Sequence, residues 1–149
     1  MAKGASISGF PEWLPSERVV EQRVIDTLRK VFELNGFIGI ETRAVETGAS
    51  LLKKGETSKE IYLLSRLQEV GHESDTPIEE RLGLHFDLTV PLSRYVVEHS
   101  GALAFPFKRW QIQKVWRGER PQGGRFREFA QADIDGIGAG DLPAHYDVE

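Results

Sequence analysis

Residues 107–138 read FKRWQIQKVWRGERPQGGRFREFAQADIDGIG, and this stretch decides the architecture. Two long extended segments flank a turn-like loop, Gly118 to Gly124, that contains Pro121-Gln122-Gly123-Gly124. Successive side chains on a strand point to opposite faces, so each segment sorts into two rows. In the first segment Trp110, Ile112 and Trp116 share one face, and Arg109, Gln111, Gln113, Val115 and Arg117 share the other. In the second, Arg127, Phe129, Gln131, Asp133 and Asp135 share a face, and Ala130, Ala132, Ile134 and Gly136 share the opposite one. Two such segments joined by a Pro/Gly-rich loop predict a long antiparallel hairpin.

The polar row is graded. Arginine stands near the loop, Phe129 in the middle, then an amide and two carboxylates. Arginine suits phosphate, an aromatic plate suits a flat base or ring, and the carboxylates suit an ammonium or imidazolium. The small residues opposite suit close packing against helices. An ordinary edge hairpin with its charges in water would alternate in the same way, so the pattern alone leaves a site and a solvated surface both open.

Charge points to the same place. Between residues 107 and 127 there are seven basic residues and one acid, Glu119, a local +6 inside a 149-residue chain of net charge -4, which leaves -10 for the rest. A uniform basic coat for nucleic acid is excluded, while a local basic block marks a place for an anion. The chain is 40% hydrophobic and 28% charged, which is the composition of a globular domain rather than a disordered segment. It has no cysteine, which removes disulfides, thiolate catalysis and cysteine–zinc sites. The four histidines, His72, His85, His99 and His145, show no ligand spacing, and no metal site is expected. No apolar run approaches the length of a membrane-spanning helix, and residues 1–9 lack the pattern of a secretory signal, so they are expected to be a flexible leader.

Upstream of the hairpin, helical spacing of Val20, Val24, Leu28, Val31 and Phe32 predicts an amphipathic helix that covers a sheet. Ser16 is its expected N-cap, Glu17 sits in the first turn, and Asn35-Gly36 is the stop. Residues 37–44, 61–67 and 82–88 read as strands. Residues 46–60 read as a loop or short helix, and 68–81 as an acidic surface turn. Thr89 is the expected cap of a second helix that tolerates Pro91 in its first turn and buries Leu92, Tyr95, Val96 and His99. Trp110 and Trp116 are expected to pack rather than to stack on a ligand.

The run from Val115 to Phe129 resembles motif 2 of class II aminoacyl-tRNA synthetases, in the form FRxERPQxGRxREFxQ of the histidyl-tRNA synthetase family, with Trp116 in place of the aromatic Phe. His85-Phe86-Asp87-Leu88-Thr89-Val90-Pro91 is similar to that family's amino-acid-binding segment RYDLTVP, with His85 in place of Arg. The first helix and the strand after it, about 16–44, match motif 1, the dimer-forming region, and Lys54 to Tyr62 also fits the family. The resemblance covers nearly the whole chain from about residue 10, with motif 2 at about 107–138. It implies an α+β fold, a class II synthetase-like antiparallel sheet flanked by helices, of which 10–149 would be the N-terminal portion of the catalytic domain.

The resemblance also implies chemistry. Such an enzyme joins histidine to ATP as histidyl-adenylate, then passes the histidyl group to tRNA(His). ATP would be a substrate accompanied by Mg2+, the full-length protein a homodimer, and its location the cytoplasm. Arg117 would be catalytic, on the α-phosphate and the histidine carboxylate. Glu119, Arg125 and Phe129 would bind ATP, on its adenine side, outer phosphates and base. Asp87, Leu88 and Thr89 would lie at the α-amino group, Gln131 on the amino acid, and Asp135 near the imidazole, where a carboxylate accepts a ring N–H. Without the resemblance, Asp87 would read as a helix-dipole charge and Thr89 as a cap.

Two departures stand out. Thr42 is followed by Arg43 where motif 1 usually has proline. The family's second histidine-binding segment, motif 3 and anticodon-binding domain have no counterpart in these 149 residues. The chain therefore reads as an N-terminal piece, expected to be inactive alone, with an unpaired sheet edge and a further helix beginning near His145. Two other classes compete: the synthetase-like regulatory subunit of ATP phosphoribosyltransferase, disfavoured by the complete ATP set, and a non-catalytic RNA- or nucleotide-binding module, disfavoured by Glu119 and Phe129.

Overall fold

A computed structural model of the chain describes residues 6–53, 60–69 and 76–143. Residues 1–5 of the expected leader, the family-like stretch 54–59, His72, and the helix start expected near His145 lie outside the described residues.

The first helix, α1 (Pro15–Leu34), starts earlier than the serine suggested. Leu14 holds the N-cap position and Pro15 the first helical position, where its missing N–H costs nothing. Glu17 reaches back to accept from the Leu14 N–H at 2.9 Å, so Ser16 lies inside the helix and does not cap it. The stop is as expected: Gly36 takes φ +77, its N–H donates to Glu33 O at 3.1 Å, and the Phe37 N–H donates to Phe32 O at 3.0 Å. That pair of bonds is a Schellman closure, which needs a left-handed residue that glycine supplies without strain. The buried stripe is narrower than the periodicity implied. Leu28 and Phe32 are half-buried, but Val20, Val24 and Val31 are exposed, and no α1 residue is fully buried.

The strand expected over 37–44 is only β1 (Ile38–Gly39), and the chain pairs again as β2 (Val45–Thr47) before the short helix α2 (Gly48–Leu52). Between β1 and β2, Thr42 is buried and its oxygens bond side chains of the hairpin rather than a neighbouring strand. Residues 61–67 form no regular strand. Leu64 N–H and Tyr62 O bond Leu82 and Leu84 on the edge of β3 (Leu82–Leu84), after which Leu67–Glu69 turns as a 3-10 helix. β2 and β3 pair antiparallel. The second helix of the sequence reading is α3 (Thr89–His99). Its N-cap is Leu88, and Asp87 rather than Thr89 bonds the free first turn, accepting from Val90 N–H at 3.3 Å. Leu92 is buried, Tyr95 and Val96 are half-buried, and His99 is exposed.

The hairpin is β4 (Phe107–Trp116) and β5 (Glu128–Ile137), paired antiparallel from Phe107↔Ile137 to Trp116↔Glu128. β1 lies parallel to β4 on the other side, so the sheet is mixed rather than wholly antiparallel, in the order β1-β4-β5. The outer edge of β5 has no strand beside it among the described residues. α1 crosses the back of this sheet, where Phe32 meets the Trp110 ring at 6.4 Å. Gly39 is needed there, since a Cβ would fall 2.6 Å from the Trp110 ring. Phe107 and Val115 on the front face of β4 are buried, as are Phe86, Leu88 and Leu92, while Phe37 lies beneath the Lys108 ammonium at 4.5 Å.

Ser8 and Gly9 are not free leader. The Gly9 carbonyl accepts from Arg127 N–H at 2.7 Å and Glu128 N–H at 3.1 Å, which ties the start of the described chain to the base of the hairpin loop.

Candidate active site

β4 and β5 bring their polar rows onto one face, and that face is the buried one. Arg109, Gln111 and Val115 are 0% exposed, whereas Ala130, Ala132 and Ile134 on the opposite row are exposed. The register sets the pairs: Arg109 opposite Asp135, Gln111 opposite Asp133, Gln113 opposite Gln131, Val115 opposite Phe129.

Arg117 stands one residue past the end of β4, where the ladder continues through its N–H to Arg127 O at 2.8 Å. Its guanidinium is held at three points. Nε donates to Phe86 O at 3.0 Å, Nη2 donates to Gln131 Oε1 at 3.2 Å, and Cζ lies 5.1 Å from the centre of the Phe129 ring. A planar cation fixed this way is pre-aimed at an anion. Gln131 is oriented in turn, its Nε2 donating to both Asp133 oxygens at 3.0–3.1 Å.

The loop between the strands closes through a tight turn in which Gln122 and Arg125 exchange 3.0 Å backbone bonds and Gly124 takes φ +74. This turn presents Arg125, whose Nε pairs with Glu119 at 3.1 Å. Arg127 Nε donates to Glu119 O at 3.0 Å and anchors the loop. A cavity of about 170 Å³ results, lined by Arg117, Glu119, Gly124, Arg125, Phe126 and Phe129. All four residues implied for ATP therefore line one cavity. Its two guanidinium groups beside an aromatic ring can take a phosphorylated ligand that carries a flat base.

The residues implied for histidine are distributed differently. Gln131 touches Arg117 directly. Asp87 is buried, next in the chain to the Phe86 carbonyl that anchors Arg117. Leu88 is 0% exposed and belongs to the core. Thr89 is exposed and lines a separate groove of about 510 Å³ with Ser93, Arg94 and α2 residues, away from the Arg117 cavity. Asp135 lies four residues along β5 from Gln131, roughly 13 Å at strand spacing, and its carboxylate pairs with buried Arg109. Burial pushes the Asp135 carboxyl above its usual range, Arg109 opposes this, and Asp133 adds to it.

Sequence reasoning missed the network beneath this face. Gln111 Nε2 donates to Thr42 Oγ1 at 2.9 Å and to Gln113 Oε1 at 2.6 Å, and Gln113 Nε2 donates to Thr42 O at 2.8 Å. It also missed His85, 0% exposed, whose Nε2 bonds Lys114 O at 2.7 Å and whose ring lies against Trp116. Arg43, standing where motif 1 usually has proline, joins Glu46, Arg94 and Glu98 in a charge cluster in which Arg94 Nε donates to both oxygens of buried Glu46 at 2.8–3.0 Å. Alternating polarity revealed that these side chains share faces, but not which face the rest of the chain would cover. Among the described residues, no group of three or more His, Asp or Glu is arranged to hold a metal ion.

No family model matches the chain. Curated relatives do. The histidine–tRNA ligase of Bifidobacterium longum subsp. infantis is 97% identical over 149 residues, covering all of this chain and 32% of the relative. That of Micrococcus luteus is 62% identical over 156 residues, covering 34% of the relative. Among solved structures, histidyl-tRNA synthetase from Nostoc sp. PCC 7120 superposes with a TM-score of 0.80 at 43% identity, over 97% of this chain and 31% of that one. A Bacillus halodurans protein described as an ATP phosphoribosyltransferase regulatory subunit/histidyl-tRNA synthetase shares the fold, with a TM-score of 0.76 at 22% identity over 96% of this chain and 34% of that one. The chain spans about a third of the length of the curated relatives it matches. Near-identity along its whole length, together with a class II fold, means that the chain belongs to the histidyl-tRNA synthetase family.

Proposed function

We propose that this chain forms the ATP site and part of the histidine site of a histidine–tRNA ligase. The observation that carries the reading is the convergence of Arg117, Glu119, Arg125 and Phe129 on one cavity. In the first step a histidine carboxylate oxygen attacks the α-phosphorus of ATP. The new P–O bond forms as the bond to the bridging oxygen breaks, and pyrophosphate leaves with that electron pair. Negative charge gathers on the α-phosphate oxygens in the transition state, and a cation already in position stabilises it without reorganising. Arg117 takes that role, as the cation held at three points. Phe129 stacks on adenine, Glu119 reads its edge, and Arg125 swings from Glu119 to the outer phosphates. Asp87 holds the α-amino group, while Thr89, which lines the groove away from Arg117, and the buried Leu88 take no part in this reading. Gln131 contacts the amino acid, and Asp135 accepts the ring N–H. Mg2+ would accompany ATP as part of the substrate and would offset phosphate charge; no cluster of described carboxylates or histidines would hold it independently.

In the second step the histidyl group passes to the terminal ribose of tRNA(His). The protein works as a homodimer, a reading supported by the exposed valines along α1, at 59, 54 and 48% exposure for Val20, Val24 and Val31, and its location is read as the cytoplasm from its likeness to histidine–tRNA ligases. No described helix is long and apolar enough to cross a membrane.

The test is histidine-dependent ATP–pyrophosphate exchange by a full-length ligase carrying this 149-residue sequence. Arg117→Ala is expected to lower kcat by about 100-fold or more. Absence of exchange in the unsubstituted enzyme, or an Arg117→Ala enzyme of full activity, would overturn the reading.

A further inference from the structure

Arg109, like Glu46, is a fully buried charged residue among the described residues, yet it lies in the row that carries the candidate site. Its side chain is 0% exposed and its guanidinium meets the Asp135 carboxylate directly across the β4–β5 register. Arg109 Nε has no hydrogen-bond partner among the described residues. Nη1 donates to Gln111 Oε1 at 3.4 Å, and Gln111 is itself clamped by Thr42 and Gln113. An apolar side chain would fill this space at lower desolvation cost, so a buried guanidinium kept here calls for another use.

That use lies at the exposed end of the pair. Asp135 is 39% exposed while Arg109 is hidden, so the pair presents one carboxylate outward, backed by a fixed cation. The charged groups facing Asp135 among the described residues are Arg109 on β4 and Asp133 on β5. Asp133 repels an ionised Asp135 and burial disfavours it, so Arg109 is the group that opposes its protonation. A protonated Asp135 would offer the ligand a donor in place of an acceptor on one oxygen.

We propose that Arg109 is a positioning residue for amino-acid recognition: from the facing strand of the hairpin it holds Asp135 as an outward-facing carboxylate acceptor for the N–H of the substrate's imidazole. This rests on the ligase reading above and adds to it a residue that the substrate never touches. Gln111 accepts from Arg109 and is itself fixed by Thr42 and Gln113, so these side chains support the pair through Gln111.

The experiment is ATP–pyrophosphate exchange by the full-length ligase carrying this sequence, with KM for histidine, KM for ATP and the pH profile of kcat/KM for histidine measured for each variant. Exchange by the unsubstituted enzyme first establishes the ligase reading independently of Arg109. Arg109→Gln is then expected to raise the histidine KM about tenfold or more while the ATP KM stays within about twofold. Its acidic limb should move to higher pH, because Asp135 would protonate more readily and the acceptor would be lost earlier on acidification. Arg109→Lys keeps the charge, and its acidic limb should stay near that of the unsubstituted enzyme. In Arg109→Gln combined with Asp135→Asn, the histidine KM should match that of Asp135→Asn alone, because a residue acting only through Asp135 has nothing left to position. An active enzyme whose Arg109→Gln form raises both KM values alike with an unmoved acidic limb would overturn the proposal and leave the ligase reading standing. If Arg109→Gln does not fold, Arg109→Lys and Asp135→Asn decide: a histidine KM unchanged by Asp135→Asn overturns it, and a selective rise there with an unmoved limb in Arg109→Lys supports it.

Discussion

The two faces of the β4–β5 hairpin invert the ordinary rule of burial. On β4 the row of Arg109 and Gln111 is covered, at 0% exposure, and Gln131, Asp133 and Asp135 opposite it on β5 are half-buried, while the row of Ala130, Ala132 and Ile134 faces outward. Buried polar groups persist only when their partners are present, and here Thr42, Gln111 and Gln113 bond one another as one group while Gln131 bridges Arg117 and Asp133 as a second. The opposite face depends instead on α1, which leaves an apolar groove of about 340 Å³ over Ile112, Ala130 and Ala132. One face of the sheet is a rigid polar platform, and the other is a loosely covered packing surface. The lesson is that a polar row can be an interior when most of its members find partners on neighbouring fixed segments.

Substitutions in the two rows test this contrast. The largest effect on stability is expected from Gln111→Leu, which strands the Thr42 hydroxyl and the Gln113 amide oxygen in the interior. Urea unfolding should register a loss of about 2–3 kcal/mol. Val115→Ala on the same face should cost about 2 kcal/mol, against less than about 1 kcal/mol for Ile134→Ala on the other. Equal losses at Val115 and Ile134 would break the comparison.

The pH dependence of stability should have opposite signs on the two faces. On the open face, burial pushes the Glu128 carboxyl up, but hydrogen bonds from Lys114 and from Trp116 Nε1, with the Lys114 charge, outweigh it and hold the pKa below the usual value. A depressed carboxyl stabilises the fold above its unfolded pKa and loses that contribution as pH falls through the folded value. On the covered face Asp135 is raised, so its contribution is most favourable at low pH and declines as pH rises from its unfolded toward its folded pKa. Urea midpoints across the carboxylate range should therefore show the parent chain losing ground to Glu128→Gln on acidification and gaining ground on Asp135→Asn. The same direction for both pairs would mean that the two carboxyls share one environment. The smallest effect belongs to Ser16→Ala, expected within about 0.5 kcal/mol, because Ser16 lies inside α1 and does not cap it. A loss near 1 kcal/mol would restore Ser16 as the cap.

Much of this was legible in the chain. The period of two over 107–138 located the hairpin, and the paired residues fall in the register that the alternation implies. Asn35-Gly36 marked the end of α1 because a left-handed closing residue is a local requirement. Short elements were less legible. The apolar run 61–67 has strand composition, yet pairs only at its margins with β3. Residues 37–44 break after Gly39 because Thr42 is recruited by the glutamines of β4. Val20, Val24 and Val31 share a helical face, but the sheet beneath α1 is too narrow to cover them.

By itself the sequence determined the hairpin and the turn chemistry that shapes its loop, because these depend on periodicity and on contacts between near neighbours. The tertiary structure decided which face of the hairpin became interior. It drew Arg117, Glu119, Arg125 and Phe129 around one cavity, sent Thr89 to another groove, and paired Arg109 with Asp135. Those outcomes depend on β1, on Thr42 and on the 85–92 segment, all distant in the chain, and burial is fixed only when such distant segments arrive.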